Sequence, residues 1–134
     1  MLVEAGVRCG MDISDGLAAD VQKLCSASGV AAEVSLASVP TDPELSLVLG
    51  DTCKARALGG GEDFELLFTA SPETMRRTQA RLAAKSLARA TVVGTIVPGN
   101  CGEITVRDEK GRVVPLSQHG FDHFGAASNS CAGE

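Results

Sequence analysis

Apolar positions follow a helical spacing just after Gly16. Leu17, Val21, Leu24 and Cys25, with Ser28, fall near one face of Asp15–Ser28, and Gly29 stops the pattern, which predicts an amphipathic helix. Ala31–Leu36 alternates as a strand does, Pro40–Pro43 reads as a turn, and Pro43–Leu49 as a short helix. Three glycines, Gly59, Gly60 and Gly61, then free the backbone to turn, and the residues after them read as a strand. In that strand Asp63 and Glu65 share one side, while Phe64, Leu66 and Phe68 share the other, which is expected to face the core. Ser71 and Pro72 open a helix to about Lys85, with serine at the cap and proline at the first position. Thr91–Val97 and Glu103–Arg107 read as strands, and Asp108–Gly111 as a hairpin turn into Arg112–Leu116. Alternating elements with a closing hairpin predict an α+β fold, helices packed on a mixed β-sheet. No internal repeat is visible, and the Gly-, Ala- and Ser-rich residues 125–134 are expected to form a flexible tail.

Composition narrows this picture. A chain of 134 residues with 44% hydrophobic content can bury one working core and is too short for two ordinary domains. Four Phe and no Trp or Tyr leave the core to Leu, Val, Ile and Ala. The same scarcity of aromatics, with a net charge of −5, argues against nucleic acid, since neither a basic surface nor a stacking platform is available. So acidic a domain repels phosphate unless a metal intervenes. No apolar run approaches a membrane span, so no membrane partner is expected and the chain is expected to be soluble and cytoplasmic. Cysteines 9, 25, 53, 101 and 131 form no CxxC pair and are odd in number, which points to reduced thiols, with Cys25 on the buried face of its helix. His119 and His123 lie four apart, but Gly120 between them weakens a helix that would set both on one face.

Two clusters carry chemistry. Asp12, Ser14 and Asp15 stand within four residues, just where the first helix begins. Asp12 and Asp15 are hard oxygen donors of the kind Mg²⁺ prefers, and Mg²⁺ commonly takes one or two carboxylates and fills its other positions with water and substrate phosphates. A helix start attracts anions through its unpaired N–H groups and dipole, Gly16 lets a phosphate approach the backbone, and Ser14 can donate to a phosphate oxygen. The plain alternative is that Ser14 or an aspartate caps the helix. The second cluster is Gly59–Glu62, where Glu62 sits at the mouth of the strand and can reach into a cleft. Its plain alternative is a glycine turn before an edge strand with a solvated acidic face.

Jointly these segments resemble a known family. MDISDGL, the helix AADVQKLCSASGV, then GGGEDFELLFTA and HGFDHF run in order from about Val7 to Phe124. This pattern is similar to the C-terminal domain of the thiamine-monophosphate kinase family, within the superfamily of aminoimidazole ribonucleotide synthetase. The resemblance implies a single C-terminal α+β domain over residues 1–124 and transfer of the γ-phosphoryl group of ATP to thiamine monophosphate, giving thiamine diphosphate. By matching position, Asp12 and Asp15 are expected to bind Mg²⁺, Ser14 to contact ATP, and Glu62 and Phe121 to contact the thiamine substrate. A carboxylate suits the thiazolium charge or the pyrimidine, and an aromatic face can stack on either ring. Alignment and metal ions do most of the work in such a transfer, and the attacking phosphate oxygen is already ionised, so no general base is named.

The family's N-terminal ATP- and Mg²⁺-binding domain is expected to be absent from this chain. The chain is accordingly expected to be inactive alone and to need that domain as partner. Apolar residues around Ile13, Leu17 and the glycine loop are expected to be exposed, and the full-length form to be a homodimer. Two other readings stay open: another ATP-using enzyme of the superfamily, of hydrogenase-maturation or selenophosphate type, and a non-catalytic assembly fragment.

Overall fold

The computed structural model describes residues 1–50, 52–59 and 65–114. Two sheets share one helix. A four-stranded sheet has the order β4-β2-β5-β6, with β2 (Ala31–Ser35), β4 (Gly94–Val97), β5 (Ile104–Arg107) and β6 (Val113–Val114). Strand β2 runs antiparallel to β4 and parallel to β5, and β5 returns antiparallel through β6, so the sheet is mixed as expected. A separate ribbon pairs β1 (Cys9–Asp12) antiparallel with β3 (Leu66–Thr69). Helix α2 (Leu17–Ser28) packs against both sheets, and this places its N-terminus beside the ribbon.

The core is aliphatic, as the missing aromatics dictate. Leu17, Val21 and Cys25 of α2 bury against Ala32 and Val34 of β2 and Val106 of β5, closed by Val39 and Leu58. Cys25 is fully buried and its thiol is held above the ordinary range, chiefly by burial and secondarily by the neighbouring Cys101 and Cys9. Cys9, Cys25, Cys53 and Cys101 are all free thiols. Among the described residues every buried side-chain nitrogen or oxygen has a partner.

Three helices complete the architecture, besides the four-residue α1 (Leu2–Ala5). Helix α3 (Pro43–Leu49) starts as read, with the Asp42 side chain accepting the Glu44 N–H at 2.8 Å. Helix α4 (Thr52–Gly59) packs Leu58 into the core beside α2, buries Cys53 within reach of Ser46 of α3, and ends at the glycine run. Helix α5 (Pro72–Ala84) is capped by Ser71, whose hydroxyl accepts the Thr74 N–H at 3.2 Å, with Pro72 at its first position. The hairpin between β5 and β6 is held by Asp108, whose carboxylate accepts the Lys110 N–H, the Arg112 N–H and the Arg112 guanidinium.

Several expectations need correction. Helix α2 begins at Leu17 rather than Asp15, because Gly16 takes a backbone conformation outside the helical region, and Ser28 is exposed. The faces of β3 are the reverse of the reading: Leu67 packs on the core while Leu66 is 56% exposed. Pairing explains the reversal, since Leu67 lies opposite Met11 and the ribbon turns that side toward α2. Leu17 is buried, not exposed, because it lies on the face of α2 that joins the core cluster with Val34, Leu58 and Val106. Large exposed apolar side chains sit instead on α3, at Leu45, Leu47 and Val48. The expected strand at 91–97 shrinks to Gly94–Val97, that at 112–116 is seen at Val113–Val114 with residues 115–116 outside the described residues, and the histidine pair and residues 125–134 also lie outside them. Among the described residues no helix is long and apolar enough to cross a membrane.

Candidate functional site

The turn between β1 and α2 carries Asp12, Ser14 and Asp15, and all three are exposed. Strand β1 ends at Asp12, opposite Leu66, and the ladder continues for one more bond as the Ile13 N–H donates to the Glu65 carbonyl at 2.8 Å. Three residues after Ile13, Gly16 turns the chain into α2 with φ 113° and ψ 153°, a region open essentially to glycine. Gly16 is the N-cap residue, and no side chain caps the helix. The capping explanation for this cluster therefore fails. The Ser14 hydroxyl and the Asp12 carboxylate have no partner among the described residues.

A residue inside the helix organises the turn. Asp20 is fully buried on the same stripe as Leu17, Val21 and Leu24. Its Oδ2 accepts the Ser14 N–H at 2.7 Å and the Asp15 N–H at 3.0 Å, and its Oδ1 accepts the Lys23 ammonium at 2.8 Å. Burial opposes ionisation of Asp20, but the hydrogen bonds from Lys23, Ser14 and Asp15 outweigh it and hold the carboxyl below its ordinary value. Lys23 also pairs with Asp15 Oδ2, and bonds first to Asp15 and then to Asp20 raise its own pKa. Sequence reasoning missed both residues. The available signal was a carboxylate at a core position of an amphipathic stripe, with a lysine three residues on.

Both ends of the glycine-rich segment abut this turn. A Cβ built on Gly16 would stand 3.0 Å from the Gly59 carbonyl oxygen, so the end of α4 lies directly against it. At the other end Glu65 holds Ile13. Gly59 and Glu65 thus lie beside the Asp12–Gly16 turn, one against Gly16 and the other bonded to Ile13. Glu62 and Phe121 lie outside the described residues.

The donor set bears on whether a metal fits. Among the described residues no three His, Cys, Asp or Glu side chains converge as a metal-holding group. What the turn offers is two exposed carboxylates, with Asp15 Oδ2 engaged by Lys23. That is too few for a cation caged by protein alone, and it suits Mg²⁺ completed by water and phosphate. Asp12 and Asp15 would hold such an ion. When bound, it would neutralise phosphate oxygens.

A helix-backed acidic turn, a mixed sheet and a glycine-rich connection define a class. Residues 1–107 match the family described as AIR synthase related protein, C-terminal domain, and the chain belongs to that family. Within it, the chain is similar to thiamine-monophosphate kinase of Haemophilus influenzae, 36% identical over 119 residues that cover 85% of this chain and 35% of the relative. It is 35% identical over 115 residues to thiamine-monophosphate kinase of Escherichia coli, covering 85% of this chain and 34% of the relative. The crystal structure of thiamine-monophosphate kinase from Stenotrophomonas maltophilia superposes with a TM-score of 0.69 at 32% identity, over 84% of this chain and 34% of that one. A structure described as AaThiL complexed with AMPPCP and TMP superposes with a TM-score of 0.62 at 32% identity, over 81% of this chain and 31% of that one. The chain thus spans about a third of the length of the curated relatives it matches.

Proposed function

We propose that the chain is the C-terminal part of a kinase that moves the γ-phosphoryl group of ATP to thiamine monophosphate, with the remaining two-thirds of such an enzyme as its partner. The observation that carries this reading is local. An uncapped helix start, with an Asp12 carboxylate and a Ser14 hydroxyl that have no partner among the described residues, lies between Gly59 and Glu65, the described residues that flank the glycine-rich segment. The relative complexed with AMPPCP and TMP supports it, if those ligands are read as an ATP analogue and thiamine monophosphate. In this reading Asp12 and Asp15 bind Mg²⁺, Ser14 contacts ATP, and Glu62 and Phe121 contact the thiamine moiety.

The residues' own contributions follow from their chemistry. Asp12 and Asp15 contribute negative charge that a phosphate tolerates only across a divalent cation. Ser14, with no cap to serve, is left to donate to a phosphate oxygen. Glu62 offers a counter-charge to the thiazolium, and Phe121, lacking a polar tip, can only stack. None of these groups needs to remove a proton, because the attacking oxygen is ionised near neutral pH.

Calorimetry with Mg²⁺ and thiamine diphosphate tests the assignment. The chain should bind the pair, and Glu62→Ala or Phe121→Ala should weaken binding by about tenfold or more. Heats unchanged in both variants would remove Glu62 and Phe121 from the site.

A further inference from the structure

Asp20 is the only charged side chain fully buried among the described residues, and all its bonds reach the turn or the lysine that serves it. An apolar residue would fit the Leu17, Val21, Leu24 stripe at no desolvation cost. A buried carboxylate persists only when well bonded. Its Oδ2 collects two amides from outside its own helix, five and six residues back, and its Oδ1 fixes a lysine whose head also holds Asp15. Ser14 and Asp15 are exposed between an Ile13 held by Glu65 and a Gly16 packed on Gly59, so without this anchor the backbone of these two residues would be free to sample other conformations. We infer that Asp20 is a positioning residue: it sets the Ser14–Asp15 backbone directly and, through Lys23, sets where the Asp15 carboxylate stands. Its role in ligand binding rests on the reading above, whereas its hold on the turn does not. Lys23 plays the counterpart role, occupying one Asp15 oxygen that a divalent cation would otherwise share.

Amide exchange and manganese broadening of NMR signals, on the 134-residue chain labelled with ¹⁵N, test this. Mn²⁺ is the probe because its paramagnetism reports weak occupancy. In the wild-type chain the Ser14 and Asp15 amides should exchange slowly despite their exposure, and Mn²⁺ should broaden residues 12–16 selectively. Asp20→Ala should speed both exchange rates about tenfold or more and disperse the broadening. Asp20→Asn, which keeps an acceptor oxygen, should restore protection at both amides, a rescue that loss of packing alone does not predict. Lys23→Met should leave both amides protected and strengthen broadening at Asp15; it decides the matter if Asp20→Ala does not fold. Fast exchange at Ser14 and Asp15 in the wild type, or broadening in Lys23→Met no stronger than in the wild type, overturns the inference. Broadening in a folded Asp20→Ala chain that matches the wild type also overturns it while sparing the kinase reading. Protected amides with no manganese effect at residues 12–16 contradict the metal site itself, and with it any role for Asp20 in ligand binding.

Discussion

Gly16 is where one missing side chain decides the geometry of the turn. Its backbone angles exclude other residues, and the Gly59 carbonyl occupies the space a methyl group would need. Gly16→Ala should therefore cost about 1–3 kcal/mol, from strain before any clash is counted, and lower the urea midpoint accordingly. A midpoint unchanged within error would show that the turn can relax. Asp108 offers a separate test in acid. Its carboxyl is held below its ordinary value, first by the Arg112 N–H, with the Arg112 guanidinium and the Lys110 N–H together helping to outweigh the opposing effect of desolvation. A depressed folded pKa means that the group stabilises fully above its unfolded value near ~3.9 and loses that contribution as pH falls through the folded value. Asp108→Asn should thus lower Tm at pH 7 and lower it progressively less in acid, as the pH falls below the unfolded value near ~3.9. An equal loss of Tm at both pH values would contradict ionisation as the cause.

Helix α4 is the element that brings the glycine segment to the turn. Leu58 is fully buried one residue before the Gly59 that meets Gly16. Leu58→Ala should cost about 2–5 kcal/mol in urea unfolding, because the core around it cannot collapse fully into the space. A loss below about 1 kcal/mol would mean that α4 is peripheral. This element was not legible in the sequence. Only Cys53, Ala57 and Leu58 mark its apolar side, and the glycine run at its end looks like the start of a loop. Strand β1 was hidden for a different reason, as Cys9–Asp12 has little strand character and forms only because β3 pairs with it. By contrast α3 and α5 were readable to within a residue, since Asp42-Pro43 and Ser71-Pro72 write cap and first position into the chain. In the site, the exposed Asp12, Ser14 and Asp15 were visible as a motif. Asp20 was not, since a helical pattern read for apolar residues skips a carboxylate whose partners lie in a turn.

Over the whole molecule, one helix joins two sheets, and its N-terminus holds the acidic turn at their junction. That arrangement gives meaning to a net charge of −5 on a protein proposed to handle phosphates. In the proposed reading these carboxylates would repel a phosphate substrate and a divalent cation held by them would offset that repulsion, so binding should depend on metal rather than on arginine. The chain spans about a third of the length of the curated relatives it matches, and the proposed reading has it work beside the other two-thirds. The most direct test joins this chain, in one polypeptide, to the first two-thirds of the Haemophilus influenzae enzyme and measures ADP release. The account predicts turnover that requires thiamine monophosphate and Mg²⁺ and falls about 100-fold or more in Asp12→Ala, with none from the chain alone. A folded fusion that releases ADP equally with and without thiamine monophosphate, or is indifferent to Asp12→Ala, would contradict it.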